Sequence, residues 1–108
     1  MADTIRKNGK PAWTSAELAA REAAVPNLRP NAAKEIVWAG EPGVRTEWAI
    51  VYLHGYSASK GEVRPVPDRV AAALGANLYF TRLTGHGQDG AAMAEATVAD
   101  WVDDLAEA

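Results

Sequence analysis

The stretch Trp48-Ala-Ile-Val-Tyr-Leu-His-Gly-Tyr-Ser-Ala-Ser59 constrains this chain more than any other. Residues 49–53 are an apolar run too short for a helix and rich in β-branched and aromatic side chains. A run of that length without polar alternation predicts a strand buried on both faces, as in a parallel sheet. It stops at His54-Gly55, followed by Tyr56 and small hydroxyl residues. Open α/β sheets bind ligands outside the carboxyl ends of their strands, so this turn is the expected place for a site.

The flanking segments fit around that strand. Glu35–Ala39 is a second strand candidate and Gly40-Glu-Pro-Gly43 a turn, so an antiparallel neighbour is expected across this short connection. After the glycine turn, Ser59-Lys-Gly-Glu62 has the form of a capping box, with the helix itself expected to start nearer Pro65-Val-Pro67. Val66, Val70, Ala73 and Leu74 recur at helical spacing, and Gly75 suits a left-handed helix cap. Asn77–Arg82 is then a parallel strand, and strand, helix and strand of these lengths make a right-handed βαβ unit. The loop Thr84-Gly-His-Gly-Gln-Asp-Gly90 leaves that strand at its carboxyl end, beside His54-Gly55.

The two ends read differently. Residues 1–12 are polar and form a loose leader. Thr14-Ser-Ala-Glu17 is a capping box for a short covering helix that ends near Ala24, before Pro26. Thr97-Val-Ala-Asp100 caps the clearest helix. Val98, Trp101, Val102 and Leu105 form its apolar stripe, and Asp100, Asp103, Asp104 and Glu107 its solvated face. Trp38 and Trp101 are expected in the core. No stop signal follows this helix, so the chain is expected to end inside an element. The domain plan is a leader and covering helix over 1–34 and an α/β unit over 35–108.

Composition narrows the function. Of the 108 residues, 14 are acidic and 11 basic, a net charge of −3 that offers no footprint for nucleic acid or anionic lipid. Without cysteine there is no disulfide, thiolate metal site or cysteine nucleophile. No signal peptide or spanning segment is visible, so a cytoplasmic location is expected. His54 and His86 show no chelating spacing, and each is expected to hydrogen-bond loop backbone and fix its turn. Ser57 and Ser59 lack a serine-hydrolase motif and read as loop-shaping hydroxyls. Gly85-His-Gly-Gln-Asp-Gly90 matches G-x-G-x-x-G, which offers a nucleotide-binding Rossmann-like module as the alternative. Asp89 among the phosphates and the missing ribose-binding acid weigh against it.

Apolar strand, His54-Gly55-Tyr56, helix, strand, Arg82-Leu-Thr-Gly-His-Gly87 and a helix containing Trp101 together resemble the first part of the α/β-hydrolase fold. The resemblance is to the esterase, lipase and serine-aminopeptidase-like branch, and covers residues 35–108. It implies a partial, mostly parallel α/β-hydrolase sheet, and serine-hydrolase chemistry on an ester, thioester or amide carbonyl without a cofactor or metal. It implies that the Tyr56 amide is half of an oxyanion hole, a donor worth about 3 to 4 kcal/mol of barrier. His54, Gly55, Gly85, His86 and Gly87 would border the site. G-x-S-x-G occurs nowhere in the chain, so nucleophile, acid and base are expected outside it, and the 108 residues alone are expected to be inactive. The central strand would keep an open edge, which predicts self-association or pairing with a partner chain.

Overall fold

The computed structural model describes residues 14–108 together with the backbone of Arg6–Lys7 and Lys10–Pro11. Those two pairs form a short antiparallel ribbon, β1 (Arg6–Lys7) and β2 (Lys10–Pro11), within the segment expected to be a loose leader. The rest of that leader lies outside the described residues. Helix α1 (Ser15–Ala23) starts where the sequence places it, with Thr14 Oγ1 accepting the Glu17 amide at 3.1 Å.

Three strands make the main sheet: β3 (Glu35–Val37), β4 (Ala49–Tyr52) and β5 (Asn77–Phe80), in the order β3-β5-β4. β4 runs parallel to β5 and β3 antiparallel to it, so the sheet is mixed, not mostly parallel. The expected neighbour of β4 is also corrected. β5 slots between β3 and β4, and the connection 38–48 passes over its start. Asn77 is the post it turns around. Its side chain takes the Ala39 amide at 3.0 Å and donates to the Val44 carbonyl at 2.9 Å, while its own amide donates to Thr46 Oγ1 at 3.0 Å. That side chain satisfies backbone groups of the loop that a two-strand hairpin would have paired with each other.

The crossover from β4 to β5 contains a 3₁₀ turn (Lys60–Glu62) and helix α2 (Val66–Leu74), closed by Gly75 in the left-handed region. Ser59 precedes the 3₁₀ turn but makes no capping bond, so the second capping box is not formed. Two cross-strand rows, Val37–Leu78–Ile50 and Glu35–Phe80–Tyr52, build one face of the sheet. Leu78 and Phe80 are fully buried there against Ala71 and Ala76. Glu35 binds both Lys60 and Arg64, and the Arg64 guanidinium lies 4.6 Å from the Phe80 ring centre. Arg64 also clamps Asp68 through two nitrogens.

The opposite face corrects the expectation that β4 is buried on both sides. Ile50 and Tyr52 pack toward the core, whereas Val51 is 43% exposed. Only part of this second face is covered, by Leu18 of α1 and by the end of α4. Chain segments that follow are α3 (Gly90–Glu95) and α4 (Val98–Glu107). Thr97 and Asp100 form the expected reciprocal capping box of α4.

Both amphipathic helices sit the other way round from their sequence pattern. In α4, Val98, Val102 and Leu105 are exposed, Trp101 is half-buried, and Asp104 and Glu107 turn inward. Asp104 accepts the Thr84 amide and hydroxyl at 2.6 and 2.7 Å, and Lys34, buried, pairs with both Asp104 and Glu107. In α2 the stripe Val66, Val70 and Leu74 is likewise exposed, and Ala71 makes the buried contact. Trp38 is half-buried, with its indole nitrogen 3.3 Å from Ser15 Oγ.

Candidate functional site

Because β4 and β5 are parallel neighbours, the loops that leave their carboxyl ends emerge side by side. The first is His54–Ser59 and the second Leu83–Asp89. Loop one turns tightly: the Ala58 amide donates to the Gly55 carbonyl at 3.0 Å, and Ser57 adopts φ +61°. An L-residue in that region carries a cost of about 1–2 kcal/mol, so the surroundings must impose it. Loop two is held by its neighbours. Gly85, at φ +85°, lies so close to α3 that a Cβ would come within 2.9 Å of the Ala92 carbonyl oxygen. Gly87, at φ +74°, faces Ala32, which a Cβ would meet at 2.7 Å.

The two imidazoles join the loops. His54 Nε2 accepts the Leu83 amide at 3.0 Å, and His86 Nε2 accepts the Ser57 amide at 3.0 Å. Each Nδ1 faces a carbonyl in its own loop, Gly55 at 2.9 Å and Thr84 at 3.4 Å. A carbonyl can only accept and an amide can only donate, so both rings are neutral with the proton on Nδ1. The ring centres are 4.6 Å apart. Both side chains are buried. Burial pushes the His86 pKa down from its ordinary value, and the positive charge that His54 and Arg82 would oppose to it pushes the same way.

Tyr56 stands at the rim. Its side chain is 73% exposed and meets His86 and Trp101 edge-on, at 6.0 and 6.1 Å between ring centres. Its backbone N–H makes no hydrogen bond among the described residues, whereas the next amide, that of Ser57, is taken by His86. The Tyr56 amide is therefore among the backbone donors that the two loops leave unengaged. Among the described residues the Ser57 hydroxyl is not paired with a base, and His86 Nε2 accepts the Ser57 amide.

No family model, curated protein or solved structure matches this chain.

Supporting residues surround the loops. Arg82, at the end of the β5 segment, forms a two-pronged ion pair with Glu22 of α1 at 2.8 and 2.9 Å, and its Nη1 donates to the His86 carbonyl at 3.3 Å. Glu22 also accepts the Lys34 amide at 2.7 Å. Burial alone would raise the Glu22 carboxyl, but the Arg82 bond, the Lys34 amide and the two positive charges outweigh it and hold the pKa below the usual value. Trp101 donates its indole N–H to the Thr84 carbonyl at 2.9 Å, and the Arg29 amide donates to the Gly87 carbonyl at 2.6 Å. On the sheet's open face the Tyr79 hydroxyl is pushed far up, first by burial and then by the Glu107 and Glu22 carboxylates.

Sequence reasoning places His54, Gly55, Tyr56, Gly85, His86 and Gly87 in adjoining loops, and the structure brings these six together. It missed the roles of Glu22, Arg82, Thr84 and Asp104. A charged Arg82 two residues past an apolar strand was the available signal, because a buried guanidinium needs a carboxylate partner. Among the described residues no cluster of three metal-binding side chains occurs, and no helix is long and apolar enough to cross a membrane.

The G-x-G-x-x-G segment takes a different form from a phosphate cradle. Gly85 and Gly87 are needed for close packing, and Asp89 caps α3 itself, accepting the Ala92 amide at 2.9 Å. Its other oxygen takes the Asn27 side chain at 3.3 Å. A carboxylate thus occupies the place where a pyrophosphate would sit.

Proposed function

We propose that this chain supplies the oxyanion-binding part of a serine hydrolase with an α/β-hydrolase-type sheet, acting on an ester, thioester or amide carbonyl. The observation that carries the reading is the unengaged Tyr56 N–H at the carboxyl end of a parallel strand, beside the Gly85-His-Gly87 loop. A carbonyl oxygen that becomes negative in a tetrahedral intermediate needs fixed donors already aimed at it, and a free backbone amide in a braced loop is such a donor. The exposed aromatic face of Tyr56 and half-buried Trp101 give an acyl group an apolar rim. Nucleophile, acid and base lie outside these 108 residues, since G-x-S-x-G does not occur in them.

The test is to extend the coding sequence past Ala108 and treat the longer product and the 108-residue chain with a fluorophosphonate probe. The reading expects covalent labelling of a serine in the longer product and none in the shorter. A longer product without labelling, or one whose added sequence carries no serine elbow, overturns it.

A second reading has its own observation. Among the described residues β4 pairs on one side only, and Val51 on it and Trp48 and Leu53 flanking it are exposed. An unpaired, apolar edge is a template for another chain. This reading expects the 108 residues to self-associate in sedimentation velocity, and Val51→Lys to reduce the associated fraction. A monodisperse monomer at tens of micromolar (~10–50 μM, where exposed edges aggregate) removes it.

A further inference from the structure

We propose that His54 and His86 are positioning residues forming a proton-sensitive clasp, which aims the Tyr56 amide when both rings are neutral and releases it when either is protonated. The inference rests on the oxyanion reading and adds its regulation.

The bonds are reciprocal. His54 belongs to loop one and takes an amide of loop two, while His86 belongs to loop two and takes an amide of loop one. All four ring nitrogens are occupied by backbone groups. Protonating Nε2 of either ring turns an acceptor toward an N–H that can only donate, so that bond is lost. A second imidazolium 4.6 Å away would also repel the first.

Peptide planarity carries the effect to Tyr56. The Tyr56 N–H shares a rigid plane with the Gly55 carbonyl, whose oxygen is held by His54 Nδ1 and by the Ala58 amide. The next peptide plane contains the Ser57 N–H held by His86. Both planes flanking the Tyr56 Cα are therefore fixed by imidazoles, one each. That also explains how Ser57 is kept at φ +61°.

The electrostatic surroundings of His86 favour its neutral form. His86 faces His54, Tyr56 and Trp101 through its ring and Arg82 through its carbonyl. Arg82 is matched by Glu22, and Asp104 is committed to Thr84 and Lys34. Arg29 and Asp89 border the open side of the His86 pocket. Among the described residues no carboxylate is bonded to either ring.

The experiment is ¹H–¹⁵N NMR, long-range for the imidazoles and one-bond for the amides, on the uniformly ¹⁵N-labelled 108-residue chain, in solution or as a sediment, from pH 8 to pH 5. Both rings are expected as the Nδ1–H tautomer at high pH, with the Tyr56, Ser57 and Leu83 amides shifting in step with ring protonation. An Nε2–H tautomer in either ring, or Tyr56 and Ser57 amides that ignore the titration, overturns the clasp. His86→Gln keeps an acceptor that does not titrate, and His86→Phe keeps a ring without one. At pH 7.5 the Ser57 amide is expected to exchange about tenfold faster in the Phe variant, the loss of one net hydrogen bond. The Gln variant should retain protection and lose its pH dependence. The wild-type titration decides the matter even if a variant does not fold. Probe labelling of a longer product without the titration-linked shifts would sink the clasp alone; the shifts without labelling would sink the hydrolase reading alone.

Discussion

Arg82 joins three parts of the molecule: it leaves β5, pairs with Glu22 of α1 and donates to the carbonyl of His86. Removing one partner of such a pair strands a buried charge, so Arg82→Ala or Glu22→Ala should each cost about 3–5 kcal/mol, read from urea midpoints. The double variant Glu22→Leu with Arg82→Met should cost much less than the sum, because no charge is left uncompensated. Gly85 and Gly43 offer a cleaner contrast. Both have φ near +85°, but only Gly85 has atoms where a Cβ would go. Gly43→Ala should lose about 1–2 kcal/mol from backbone strain, and Gly85→Ala distinctly more, by the same measurement. Nothing in the sequence separates these two glycines; the difference comes from α3 packing on one of them.

At the scale of elements, local chemistry was legible and partnership was not. The caps at Thr14 and Thr97, the glycine stop at Gly75 and the strands 35–37, 49–52 and 77–80 all follow from side-chain rules acting within a few residues. Strand order does not. Asn77, a polar residue at the start of β5, draws the 38–48 connection around it and separates two strands that adjacency in sequence would pair. Facing was misread for a related reason. A periodic apolar stripe says that one side of a helix needs cover, and Lys34 turned the acidic side of α4 toward the sheet instead. Replacing Val98, Val102 and Leu105 together with serine should therefore shift stability only slightly, by about 1 kcal/mol or less of propensity loss. The associated fraction in sedimentation velocity should fall. A destabilisation of several kcal/mol would mean that the stripe is packed inside the folded chain.

For the whole molecule, pH and temperature should both show the effect of this arrangement. The His86 pKa is lowered on folding, so its contribution is full above the ordinary value of 6.5 and is lost as pH falls through the lower folded value. Glu22 is lowered as well, so its contribution persists to more acid conditions and is lost as pH drops through its own folded value. Acid titration of stability should thus fall in two stages, with His86→Gln removing the first and Glu22→Gln weakening the second, to which Glu35 and Asp68, also held below their ordinary values, contribute. The outward stripes of α2 and α4 and the bare side of β4 have a calorimetric consequence. Those surfaces are already hydrated before unfolding begins, so melting adds little new apolar hydration. An ordinary chain of 108 residues would show a heat-capacity increment of about 1.3–1.6 kcal/mol/K. This one should fall clearly below that range, giving a flattened stability curve whose melting enthalpy changes little with temperature.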